Sequence, residues 1–182
     1  MKLVWYFVLS QVLLFAPAKA DSEAKPATEP ILTVIDEAGS RHQITAADLS
    51  RLPRQKLKAK SERIDGEFEG VSLVDLLKSA GVAFGDGLKG KRAATVAVCE
   101  AADGYRVTFA LLEIDPDTTD RHVLVADHRD GQPLGDKEGP LRLVIPGEKR
   151  PIRWIRMLRT IRILNPEDSP KDALPTTKPP ST

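Results

Sequence analysis

The chain holds one cysteine, Cys99, and three histidines, His42, His122 and His128. A single thiol excludes an internal disulfide framework. Its setting in "ATVAVCEA" reads as a small buried side chain on a strand. The histidines show no ligand spacing, and without thiolate partners they read as surface or capping residues rather than a metal site. None of Ser61, Ser72 and Cys99 has a histidine at motif-like spacing, which argues against hydrolase chemistry. Gly81, Gly85, Gly87 and Gly90 form a loose loop without the Lys-Ser/Thr that completes a phosphate cradle. An excess of one charge is also missing, because 27 Lys+Arg against 26 Asp+Glu leaves +1 at pH 7. General binding of nucleic acid or anionic membranes takes a basic excess, so charge acts here only locally.

Long apolar runs are confined to one place. "MKLVWYFVLSQVLLFAPAKA", residues 1–20, has a basic start at Lys2, an apolar stretch from Leu3 to Phe15 and a small-x-small end at Ala18-Lys19-Ala20. A membrane span needs about 20 apolar residues, so this pattern predicts a secretory signal cut after Ala20, and no direct membrane span after cleavage. Residues 21–30 predict a flexible leader. The stretch 165–182, with five prolines and almost nothing apolar, predicts a disordered tail.

Residues 31–164 predict one domain of short strands and short helices, an α+β order. "ILTVID" reads as a strand. Thr45 and Asp48 form an N-cap signature before "AADLSRL". "KLKAKSERI" reads as an edge strand. Ser72 caps a helix in which Leu73, Leu76, Leu77 and Ala80 share one face and which Gly81 stops. "ATVAVCEA" and "YRVTF" flank an Asp-Gly turn, and "HVLVADH" leads into a second one.

The stretch "GPLRLVIPGEKRPIRWIRML", residues 139–158, asks the functional question. A strand over 141–145 stops at Pro-Gly, and a second strand is expected to carry Arg150, Arg153, Trp154 and Arg156. Such a cluster is either a solvated surface or a socket for a flat polar ligand, since guanidinium and indole both stack and bond. Strand alternation would put Arg153 and Trp154 on opposite faces. Trp154 alone also reads as a core residue, Arg142 as a structural ion-pair partner, and Arg156, Arg159 and Arg162 as surface charges.

Taken in order, "FEGVSLVDLLKSAGV", "DGYRVTF", "HVLVADHRDGQPL", "GPLRLVIPG" and "IRWIRMLRTIRIL" resemble the molybdopterin-binding domain of the sulfite oxidase family, over roughly residues 55–164. The resemblance implies that family's fold, compact mixed sheets with short helices. In catalytic members a cysteine just before the Gly-Val-x-Leu helix ligates molybdenum; here Lys60, Ser61 and Glu62 stand in that region, and Glu138 stands where a histidine is often found. A serine hydroxyl is a poor substitute for a soft thiolate.

The chain therefore resembles the small exported members of the family that lack this cysteine. That implies a non-catalytic periplasmic pterin-binding protein with no metal and no tightly bound cofactor. A pterin, reduced forms included, would be its ligand. Its partner would be the periplasmic domain of a membrane-bound protein controlling cyclic di-GMP turnover. A molybdenum-cofactor-dependent oxidoreductase and a ligand-free adaptor remain as alternatives. No catalytic residue is assigned. The ligand contacts implied are Arg150 and Trp154, with Arg153 on a polar side chain or ring oxygen. Glu100 or Asp103 would accept from the ring amino group, Tyr105 sits on their hairpin, and Ser61 and Arg63 would line the pocket floor. Asp103-Gly104 reads first as a turn former.

Overall fold

The computed structural model describes residues 29–166. The expected signal segment, nearly all of the leader and the tail beyond 166 lie outside the described residues. The elements run β1 (Pro30–Ile35), β2 (Arg41–Thr45), α1 (Ala46–Ser50), β3 (Arg54–Lys60), β4 (Asp65–Ser72), α2 (Leu73–Ser79), β5 (Val96–Ala101), β6 (Arg106–Ala110), β7 (Leu124–Arg129), β8 (Gln132–Pro133), β9 (Arg142–Val144) and β10 (Leu158–Leu164). One sheet has the order β2-β1-β10-β5-β6, and the other has β3-β4-β7-β8 with β9 also paired to β7. Only β1 and β10 run parallel; the remaining pairs are antiparallel. Mixed sheets with two short α-helices are the α+β class that the sequence predicts.

Period-two burial on β5 puts Ala97, Cys99 and Ala101 inward, and on β6 Val107 and Phe109. These side chains join Phe68, Val71, Leu143 and Ile161 in one core shared by both sheets. Among the described residues β3 pairs only with β4. Its lysines, Lys56, Lys58 and Lys60, are exposed, and charge of this kind blunts a sheet edge against unwanted pairing.

Local rules account for both helices. Thr45 and Asp48 form the reciprocal capping box at the start of α1. Ser72 accepts from the Val74 amide at 3.2 Å. α2 ends in paired reverse bonds, Val82 N–H to the Leu77 carbonyl and Gly81 N–H to that of Lys78, with Gly81 at φ +82. That left-handed residue is the one glycine tolerates best. Leu73, Leu76 and Leu77 are fully buried, each worth about 1.5–3 kcal/mol of burial.

Two features depart from the sequence reading. β4 was legible only as the lead into α2. Its Gly70 is fixed by contact, because a Cβ there would lie 2.1 Å from the Val125 carbonyl on β7, at the point where the register of the pair shifts. The strand expected from Arg150 onward begins only at Leu158. Pro151 has no amide hydrogen to donate, the Trp154 amide bonds back to the Pro151 carbonyl at 3.3 Å, and the Ile155 amide bonds to that of Arg153 at 2.9 Å. Met157 adopts φ +52, so the chain turns repeatedly before it can pair.

Candidate functional site

Those turns border a cleft. Its walls are the β5–β6 hairpin, contributing Ala101, Asp103 and Tyr105, and the irregular segment contributing Ile152, Trp154 and Arg156; its volume is about 330 Å³. That is the lower end of the range for small-molecule sites. The hairpin is held by the Gly104 amide bonding to the Ala101 carbonyl at 3.1 Å, with Gly104 at φ +83. The Asp103 carboxylate accepts from the Tyr105 amide at 3.0 Å, the turn-forming role expected of it. The Tyr105 hydroxyl donates to the Ile152 carbonyl at 3.1 Å and so joins the two walls.

Behind the cleft stands a cluster of aromatic and cationic groups. Trp154 is almost fully buried and meets Phe68 edge-on, with ring centres 6.2 Å apart at 89°. The guanidinium groups of Arg129 and Arg142 lie 5.5 and 5.4 Å from the Phe68 ring centre, within cation–π range. Glu138 serves both arginines, with Oε1 2.8 Å from Arg142 Nη1 and 3.5 Å from Arg129 Nη1. Arg142 is fully buried, and this burial pushes its pKa down; Glu138 pushes it back up, while Arg129 and Arg156 depress it further. Backbone bonds join the cleft to this cluster, because the Met157 amide donates to the Glu138 carbonyl at 3.0 Å and the Ala102 amide to that of Met157 at 2.9 Å.

Several buried polar atoms here have no hydrogen-bond partner. They are Trp154 Nε1, Arg129 Nε and all three side-chain nitrogens of Arg142; outside the cluster, Ser61 Oγ at the end of β3 is in the same state. Arg142 Nη1 is nevertheless 2.8 Å from Glu138 Oε1, close enough for charge compensation. Buried donors without acceptors are costly, about 1–3 kcal/mol each, and their concentration around one aromatic cluster points to an acceptor-bearing ligand or to bound water.

The structure brings together three of the expected contacts, Asp103, Tyr105 and Trp154, in the cleft. Ser61 lies at the end of β3 with its amide on the Ile64 carbonyl at 2.7 Å; its neighbour Glu62 donates to the Lys149 carbonyl at 3.3 Å, so this turn leans on the loop that leads to Trp154. Arg150 is exposed, 3.9 Å from Glu62. Arg63 is exposed too. Glu100 pairs with Arg106 at 2.8 Å. Arg153 turns away from the cleft: it bonds Glu148 and Glu113 and lies 4.7 Å from the Phe109 ring centre.

The sequence reading passed over Phe68 and Arg129; it took Glu138 only as the residue standing in place of a histidine, and Arg156 as a surface charge. One signal was available, the lone charge of Arg142 inside the apolar run "PLRLVI", since a cation in such a run must find a partner. Cys99 faces the core on β5, and burial pushes its thiol up to about 12. Among the described residues no three His, Cys, Asp or Glu side chains converge on a point where they could hold a metal ion.

Residues 38–171 match the family model described as "Oxidoreductase molybdopterin binding domain". Comparison with curated sequences yields no match. Among solved structures, the chain is similar to the sulfane dehydrogenase SoxCD from Paracoccus pantotrophus, at 22% identity and a TM-score of 0.59, over 79% of this chain and 40% of that one. The chain thus spans well under half the length of that neighbour, and at this identity the likeness shows the fold alone. The family match overturns two expectations, that the chain is no enzyme and that it has no tightly bound cofactor. Both rested on two departures, a missing cysteine and Glu138 in place of a histidine, the missing thiolate above all. A cofactor held through the polar edge of an organic ring by many donors does not depend on that single bond.

Proposed function

Because the chain belongs to the oxidoreductase molybdopterin-binding domain family, we propose that it is an oxidoreductase-type domain that holds a molybdopterin-type cofactor in the cleft between the β5–β6 hairpin and residues 151–156. The observation that carries this reading is the buried, unpartnered Nε1 of cleft-lining Trp154, with further unpartnered nitrogens of Arg142 and Arg129 around the Phe68 ring on which it packs. A pterin presents ring nitrogens and a carbonyl along one edge, and such acceptors match these donors. The residues present therefore fit the organic part of the group. Trp154 and Tyr105 offer aromatic surface at the cleft, Arg156 offers a cation at its mouth, and Ser61 is the side chain nearest in sequence to where the family's protein ligand is expected. When bound, the cofactor supplies a two-electron redox centre.

The chain's own residues have three tasks in this reading. Trp154, packed on Phe68, sets a rigid wall against which a flat ring can lie. The Tyr105–Ile152 bond holds the opposite wall at a fixed spacing, which limits water entry. Arg142 and Arg129, held by Glu138, brace the Phe68 ring on which Trp154 packs. The experiment is purification of the full chain from a host competent in molybdenum cofactor synthesis, with metal analysis and pterin fluorescence after oxidative release. Molybdenum and pterin near one per chain are expected. Absence of both, together with no uptake of added cofactor, overturns the reading.

We further propose that the signal expected in residues 1–20 places this chemistry in the periplasm, next to a membrane-bound partner. Exposed Ile152 and Tyr105 beside the cleft mouth support a contact there. Cell fractionation that leaves the chain in the cytoplasm would remove both parts of this proposal.

A further inference from the structure

A second recess, which shares no lining residue with the cleft, lies where the start of α2 meets residues 114–123; its volume is about 210 Å³. Its floor is apolar, because Ile114 and Val123 line it and are almost fully buried. Its rim is charged, with Asp75 and Lys78 supplied by α2 and Arg121 and His122 by the facing segment.

Both walls are fixed without a ligand. The Leu73 amide donates to the Val123 carbonyl at 2.8 Å and ties α2 to the facing segment. The side chain of Asp115, buried next to Ile114, accepts from the Gly85 amide at 2.8 Å and the Asp117 amide at 3.1 Å. Its carbonyl accepts from the Thr118 and Thr119 amides, each at 2.9 Å. The Thr119 hydroxyl in turn accepts from the Arg121 amide at 3.2 Å. A recess held by so many bonds needs little ordering when it is filled, as small-molecule sites require.

The rim charges say what would fill it. Asp75 and Lys78 are three residues apart on one helix, a spacing at which opposite charges are neighbours. At that spacing Asp48 pairs with Arg51 at 3.1 Å and Asp86 with Lys89 at 2.7 Å. Among the described residues, however, Asp75 and His122 have no hydrogen-bond or ion-pair partner, and Lys78 lies 5.7 Å from the Phe84 ring centre with no acid beside it. One nitrogen of Arg121 is 3.3 Å from Glu113. An uncompensated carboxylate and an uncompensated ammonium group thus share one small recess. A simple anion entering it meets Asp75, and a simple cation meets Lys78 and Arg121. A ligand carrying both charges satisfies both sides at once, and a hydrocarbon chain on that ligand covers the apolar floor. The volume lies below the range of drug-sized ligands, which suits a molecule the size of one amino acid.

We propose that this recess is a binding site for a free aliphatic α-amino acid. Its ammonium group lies on Asp75, its carboxylate on Lys78 and Arg121 with His122 as a further donor, and its side chain over Ile114 and Val123. The assignment does not rest on the cofactor reading of the cleft.

The test is calorimetric titration of the full chain with L-leucine and L-valine, and with three probes that each lack one feature: 3-methylbutylamine without the carboxylate, 4-methylpentanoate without the ammonium group, and glycine without the side chain. At least one of the two amino acids is expected to bind with a Kd below about 1 mM, and each incomplete probe about tenfold or more weakly, as loss of a charged hydrogen bond or of the buried chain dictates. Asp75→Asn and Lys78→Gln are each expected to weaken amino-acid binding about tenfold. Absence of binding by both amino acids overturns the site. Equal binding of an incomplete probe overturns the two-charge assignment, and affinity unchanged in both variants moves the ligand elsewhere on the protein and overturns this recess. Should either variant fail to give a cooperative melt, Asp75→Glu and Lys78→Arg replace them: they keep the charges while shifting their reach, and affinity unchanged in both again overturns the recess.

Discussion

The hydroxyl of Tyr105 donates to the carbonyl of Ile152 across 3.1 Å, joining residues 47 positions apart on opposite walls of the cleft. Both are exposed, so the bond works against water and contributes little to global stability, about 0.5–1 kcal/mol. Its effect is on the cleft. Tyr105→Phe is expected to leave the melting temperature within about 2–4 °C of wild type and to release bound pterin several-fold faster in a dilution experiment followed by pterin fluorescence. Unchanged release means that the two walls are held by the backbone alone.

Trp154→Phe separates packing from hydrogen bonding. The ring still fills most of the space against Phe68, but the buried, unpartnered Nε1 is removed. In the ligand-free protein this is expected to be close to neutral, because the lost indole packing is set against relief of an unsatisfied donor worth about 1–3 kcal/mol. Ligand affinity is expected to fall about tenfold or more, the equivalent of one good hydrogen bond. Urea unfolding and calorimetric titration of the same preparation read the two effects separately. A variant that loses stability and keeps its affinity would assign Trp154 to the core alone.

The parts of the fold governed by local rules were legible in the sequence. The Thr45–Asp48 box, the Ser72 cap, the Gly81 stop and the alternation around Cys99 each appear where residue type and spacing put them. The segment 150–157 was not, because its apolar and basic residues mimic strand alternation while Pro151 and the left-handed Met157 break it. Of the candidate contacts, three share one cleft. Asp103, Tyr105 and Trp154 meet as expected, but Arg129, Glu138 and Phe68 enter through β4–β7 pairing and the turn after β8, contacts between residues up to about 70 positions apart that no local pattern encodes.

Arg150 and Arg153, read together as ligand contacts, are expected to behave differently. Arg153 bonds Glu148 Oε1 and Glu113 Oε1, the latter at 2.9 Å, and lies over Phe109. Burial lowers its pKa, but the two glutamates more than offset that and raise it overall. Arg153→Ala leaves two partly buried carboxylates facing each other and is expected to cost about 2 kcal/mol or more. Arg150 is 71% exposed and 3.9 Å from its nearest acid, so Arg150→Ala is expected to fall within about 0.5 kcal/mol of wild type. Urea midpoints of the two variants at neutral pH measure the difference; equal losses would contradict the placement of Arg153.

Acid sensitivity is expected to centre on Asp127. Burial pushes its carboxyl up, but Arg54, bonding both oxygens at 2.6 and 2.7 Å from across β4, and His128 at 2.7 Å outweigh that and hold it below the ordinary aspartate range. A carboxyl whose folded pKa is depressed binds fewer protons folded than unfolded, so its stabilisation is present above the unfolded value of about 3.9 and is lost as pH falls through the folded one. Melting temperature is therefore expected to drop as pH is lowered from about 5 toward 2. Asp127→Asn removes this carboxylate and leaves Arg54 with Glu69 alone at 3.2 Å. At pH 7 it is expected to lose about 1–2 kcal/mol, the worth of a two-point charge-assisted contact that is partly screened. As the pH falls the gap to wild type should close, because wild type surrenders the same interaction on protonation. A gap that stays constant from neutral to acid pH would show that Asp127 stabilises through packing and not through its charge.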